Sequence, residues 1–128
     1  MKETTSDFEL NFFERLVKDN PNFVDALVPL AEVYTRKGMY EEGLRIDKKL
    51  ALLKKLDPTI HYNLACSLAL VGEKNEALAT LQQAVKLGYH DFDYMKKDSD
   101  LKSLRSDPRF KSLMLILSPT FSQREREV

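Results

Sequence analysis

Shifting the sequence by 34 residues lays it on itself. Leu30 falls on Leu64, Ala31 on Ala65, Gly38 on Gly72, Glu42 on Glu76, Leu44 on Leu78 and Leu53 on Leu87, while Gly43 meets Ala77, small on small. Within each copy the apolar residues recur at helical spacing. Phe23, Leu27, Leu30, Ala31 and Tyr34 follow i, i+4, i+7, i+8 and i+11 up to Gly38, and Ile46, Leu50 and Leu53 mark a helix from about Tyr40 to Lys55. Tyr62, Leu64, Ala65 and Leu68 give a helix ending at Val71-Gly72, and Ala77, Leu78, Leu81, Ala84 and Val85 give another ending at Gly88. A hairpin of this length has an apolar face that it cannot bury alone, so neighbouring hairpins must stack to complete a core. No stretch shows sustained strand-like alternation. The expected fold class is all-α.

Both flanks continue the pattern. Phe13, Leu16 and Val17 make residues 8–21 a short amphipathic helix stopped by Asn20-Pro21. The 34-residue match fails after Gly88, where a further shift would bring Asp98, Ser99 and Ser106 onto Leu64, Ala65 and Gly72. In its place, DSDLKSLRSDPRFKSLMLIL reads as two short helices. Asp98 or Ser99 caps the first, which carries Leu101 and Leu104. Asp107-Pro108 opens the second, with Phe110, Leu113, Met114 and Leu117 on one face. Pro29 is the awkward residue: inside a helix it removes a backbone donor and should kink the first turns.

These residues resemble the tetratricopeptide repeat family. Residues 24–57 supply Leu30, Ala31, Tyr34, Gly38, Tyr40 and Gly43 to its pattern, and residues 58–91 supply Leu64, Ala65, Leu68, Gly72, Ala77, Leu81 and Ala84. Residues 8–21 look like the second helix of a preceding half repeat, and DLxxLRxDPRFxxL resembles the segment that closes bacterial arrays. Leu27 and His61 stand where the family usually has tryptophan, and Gly43 where it has alanine. The resemblance implies a single domain over residues 1–117, with antiparallel helical hairpins stacked as a short right-handed superhelix. Its parts would be the half-repeat helix (8–21), two repeats (24–57 and 58–91) and capping helices (92–117). The tail at 118–128 is expected to be disordered.

Composition excludes several functions. Twenty basic and twenty acidic residues give zero net charge, which argues against a nucleic-acid binder. One cysteine cannot form an intramolecular disulfide, so a reducing compartment, and a cytoplasmic location, is the simplest expectation. Neither the start of the chain nor its longest apolar run, LMLIL at 113–117, resembles a secretory signal or a membrane span.

Candidate chemistry is sparse. His61 and Cys66, five residues apart on one helix, point about 140° apart and cannot pair directly. The histidine-containing acidic stretch His90, Asp91, Asp93, Asp98 and Asp100 fits neither a zinc pattern nor a calcium loop, so its aspartates read as turn and capping residues. Lys48, Lys49, Lys54 and Lys55 share their helix with Glu41, Glu42 and Asp47 and read as a solvated surface. Phosphate-loop, dinucleotide and nucleophile-elbow motifs are missing. The expectation is no catalytic residue, no cofactor and no metal.

What the resemblance implies instead is a groove. In the family, positions 2, 5, 9 and 12 of each first helix line a concave surface that holds a peptide. Here they are Asp25, Val28, Glu32 and Thr35, then Thr59, Tyr62, Cys66 and Ala69, with Asn63 where asparagine can hold a ligand's backbone. Val28 and Glu32 replace the residues with which some members clamp a chaperone C-terminus. Asp25 and Glu32 point to a ligand with basic and apolar side chains. The expected function is a non-enzymatic interaction module for a protein or peptide partner, without nucleic acid or membrane. The alternative is a homodimer built on the apolar N-terminal helix with Phe8, Phe12 and Phe13.

Overall fold

The computed structural model describes residues 4–117, and among them every regular element is helical. The first helix, α1, spans Thr5–Asp19. It starts before the expected residue 8 because Thr4 and Asp7 cap it reciprocally: the Asp7 N–H donates to Thr4 Oγ1 (3.1 Å) and the Thr4 N–H to the Asp7 carboxylate (3.3 Å). Leu10, Phe13 and Val17 face inward against the first core cluster. Phe8 and Phe12 stack with their rings 6.5 Å apart and stay 65% and 49% exposed.

Four helices of nearly equal length follow: α2 (Val24–Arg36), α3 (Tyr40–Leu53), α4 (Pro58–Leu70) and α5 (Lys74–Lys86). The period of the sequence appears as one turn built twice. Gly38 and Gly72 take φ of +77° and +90°, a backbone region that costs other residues steric strain. The next N–H then folds back onto the helix end, Met39 to the Tyr34 carbonyl (2.8 Å) and Glu73 to that of Leu68 (2.9 Å). Gly43 has another reason to be small: a Cβ there would stand 3.1 Å from Thr35 Oγ1, so α2 and α3 touch closely. Asp57 caps α4 through the Thr59 and Ile60 amides, with Pro58 in the first turn as expected. Pro29 lies within a continuous α2 and does not displace its start, leaving the Asp25 carbonyl without the usual donor four residues on.

Two apolar clusters run along the stack. Leu27, Leu30, Tyr34, Ile46, Leu50 and Ile60 join the first hairpin to the start of α4. The second cluster packs Ala65, Leu68, Leu78 and Leu81 under the C-terminal segment. That segment has three short elements where the sequence pattern indicates two: α6 (Phe92–Lys97), a 3₁₀ helix (Ser99–Leu104) and α7 (Pro108–Ile116). Met95, Leu101, Leu104 and Phe110 sink into the second cluster at 4% exposure or less, so the segment closes the last hairpin. Asp107 caps α7 through the Arg109 amide. The tail expected to be disordered, 118–128, lies outside the described residues.

Candidate functional site

Helix α3 packs against both α2 and α4, the first helices of the two hairpins, and the 3₁₀ helix of the C-terminal segment packs on α4. Between them lies a cavity of about 310 Å³. Six of the nine residues expected along a groove line it: Val28, Glu32 and Thr35 from α2, and Tyr62, Asn63 and Cys66 from α4. The other three do not. Asp25 and Thr59 sit in the exposed first turns of their helices, outside the cavity wall. Ala69 is covered by the 3₁₀ helix, whose Ser103 hydroxyl donates to the Ala69 carbonyl (3.3 Å), so it belongs to the core and not to a groove.

The wall has residues that a groove built from first helices alone does not include. Asp47 and Leu50 come from α3, Tyr94 from α6, and Asp98 and Asp100 from the 3₁₀ region. The largest correction concerns Asp47. It is 4% exposed and not part of a solvated face with Glu41 and Glu42. Its spacing from Gly43 and to Leu50, i+4 and i+3, was the available signal, since both neighbours are buried. The Ser67 hydroxyl donates to Asp47 Oδ2, and Oδ1 accepts no hydrogen bond among the described residues. Burial pushes the Asp47 carboxyl up to about 6; the Ser67 hydroxyl opposes this, and the Glu32 charge adds to it.

Asp98 performs the expected capping role and a second one. Its Oδ1 accepts from the Asp100 amide (3.0 Å), while Oδ2 accepts from the Tyr62 hydroxyl (2.6 Å) and the Cys66 thiol (3.7 Å). The Tyr62 ring stacks on Tyr89 with centroids 4.1 Å apart. Tyr62 and Cys66 therefore form a buried floor that ties α4 to the cap. Burial, followed by the charge of Asp98, pushes the Asp100 carboxyl up as well. Among the described residues the one cation on the wall, Arg36, is turned to Glu9 on α1 at 3.4 Å. No salt bridge among them reaches Glu32, Asp47, Asp98 or Asp100.

This geometry does not assemble a nucleophile. His61 turns back to the Asp57 carbonyl (2.8 Å) and His90 to that of Gly88 (3.0 Å), while the partner of Cys66 is a carboxylate. Burial, then the charges of Asp98 and Asp100, pushes the Cys66 thiol up, away from the reactive thiolate. The ligating atoms of Cys66, Asp98 and Asp100 lie within 4.8 Å of one another. Asp98, however, already spends both oxygens on Tyr62, Cys66 and the Asp100 amide, so the group serves to hold the cap.

No helix of the described residues is long and apolar enough to cross a membrane. The chain is 31% identical over 93 residues to a chloroplastic protein of Arabidopsis thaliana, a match covering 69% of this chain and 27% of that protein. The chain thus corresponds to about a quarter of that relative's length, and a chloroplastic relative gives no support to a cytoplasmic location. The crystal structure of MamA superposes with a TM-score of 0.65 at 18% identity, over 96% of this chain and 80% of that one. This likeness shows the fold, a stack of helical hairpins. The family that matches in sequence carries a different description, "A/B hydrolase-like, N-terminal domain", and it matches residues 31–127. The chain belongs to this family of A/B hydrolase-like N-terminal domains.

Proposed function

We propose that the chain is a non-enzymatic interaction module that holds a segment of a partner protein in the cavity between α2 and α4. The observation that carries this reading is the cavity itself, walled by two hairpins and a cap whose packing fixes its shape before any ligand arrives. A preformed site limits the ordering cost of binding. Asn63 supports it further: the residue is half-buried on the wall, and its amide has no hydrogen-bond partner among the described residues, as suits a group that meets a ligand's backbone. The non-enzymatic part is supported by the bonds that already engage His61, His90 and Cys66.

The test is a pull-down from host lysate with the wild-type chain, Asn63→Ala and Glu32→Lys. Both substitutions are at wall positions outside the core, so the melting temperature should hold while one or more partners are lost. Partners retained equally by all three proteins would refute the cavity as the binding surface. A second reading, self-association, is favoured by the stacked and exposed Phe8 and Phe12. Sedimentation that shows a dimer for the wild type and a monomer for Phe12→Asp supports it, and a monomer for both removes it.

A further inference from the structure

We propose that the cavity receives one lysine or arginine side chain, presented by an extended segment of a partner protein, with Asp47 and Asp100 as its counter-charges. This rests on the reading of the cavity as a partner site and adds which side chain enters it. The acidic groups come from three separate elements: Glu32 from α2, Asp47 from α3, and Asp98 and Asp100 from the cap. Asp98 is satisfied by its own hydrogen bonds and Arg36 is paired with Glu9, which leaves Asp47, Asp100 and Glu32 without a cation among the described residues.

Asp47 is the most telling of these. The carboxylate is only 4% exposed and holds one neutral hydroxyl on Oδ2, while Oδ1 is not among the fully buried unpaired atoms of the described residues and so stays open to what enters the cavity. A cationic side chain entering from the open side brings donors to that oxygen and neutralises the charge in one step. Its aliphatic stem would lie along Val28 and Leu50, and Tyr94, half-exposed on the wall, offers a ring face to the cation. Asn63, beside the opening, is placed to take the main chain on either side of the inserted residue. An acidic or bulky apolar side chain would have to bury itself against these same carboxylates.

The test is selection of a randomised nine-residue peptide library on the immobilised full chain, followed by affinity measurement on synthetic peptides. Selected peptides should share one lysine or arginine position, and replacing it with glutamine or norleucine should weaken binding at least about tenfold, the scale of one charge-assisted hydrogen bond. With Asp47→Asn or Asp100→Asn, each checked by thermal unfolding, the same peptide change should lose most of its effect. Peptides without a shared cation, or a lysine effect undiminished in both variants, would overturn the proposal while leaving the partner-segment reading intact. Retention of no peptide would overturn both. Spermidine binding as tightly as the selected peptides would show a free polyamine, not a protein segment, as the occupant and would also overturn it.

Discussion

Replacing Asp47 with asparagine should make the protein more stable at neutral pH, and the gain should disappear in acid. Burial raises the carboxyl from 3.8 to about 6. Between these two values the folded chain keeps a proton that the unfolded chain has released, so the native state loses stability as pH climbs through that window. Below about pH 4 both states are protonated and the penalty vanishes; above about pH 6 it is complete. A shift of this size corresponds to about 3 kcal/mol. Asparagine keeps an acceptor for Ser67 but brings an amide that must find its own partners, so a net gain of about 1–2 kcal/mol is expected. Urea unfolding of both proteins in steps from about pH 3.5 to 7.5 gives the difference directly, and other titrating groups cancel in it. The curve should rise by about 3 kcal/mol across the 4–6 interval, from an asparagine protein about 1–2 kcal/mol less stable in acid to one about 1–2 kcal/mol more stable, and then level off. A flat difference, or an asparagine protein less stable at pH 7, would refute the argument that the charge is buried without compensation.

Three further outcomes follow from the packing. Leu101→Ala, at a position with 0% exposure, should cost about 3 kcal/mol in urea unfolding through the void it leaves. Tyr62→Phe removes the hydroxyl donor from Asp98 and should cost about 1–3 kcal/mol, with faster hydrogen exchange in residues 92–104 before it accelerates elsewhere. The Cys66 thiol, pushed up by burial, should react with a disulfide reagent at about pH 8 far more slowly in the native protein than in guanidinium; comparable rates would contradict its place in the floor.

The hairpins were legible in the sequence because their determinants are local. Gly38 and Gly72 fix turns within a few residues, and the apolar residues of α2 to α5 repeat at the spacing their own helices impose. The floor of the cavity was not, because its bonds join distant residues. Asp98 is recognisable as a cap from its neighbours, but nothing near it announces that Tyr62, 36 residues earlier, donates to its other oxygen. Met95 escaped for a related reason, since a six-residue helix is too short to display a period. Charged neighbours concealed Asp47: Lys48 and Glu42 are exposed, and only the helical offset to Gly43 and Leu50 separates it from them. The groove pattern placed Ala69 on the wall because it counts positions along one helix and takes no account of the segment that later folds across it. It placed Asp25 and Thr59 there although the cavity does not reach the exposed positions at the start of α2 and α4.

That crossing segment gives the cavity the part of its wall with the shortest helices. One of its walls, from Tyr94 to Asp100, hangs on a six-residue helix and a single 3₁₀ stretch, lengths at which a helix has no lasting existence of its own. Were Met95 and Leu101 to leave the second cluster, the cavity would lose that wall while the turns and helices of both hairpins remained. Such a lift-off would limit the cavity's lifetime without global unfolding. A partner that grips both Asp47 and Asp100 would span the seam and slow that motion, so binding would appear first as lengthened protection of amides in residues 92–104.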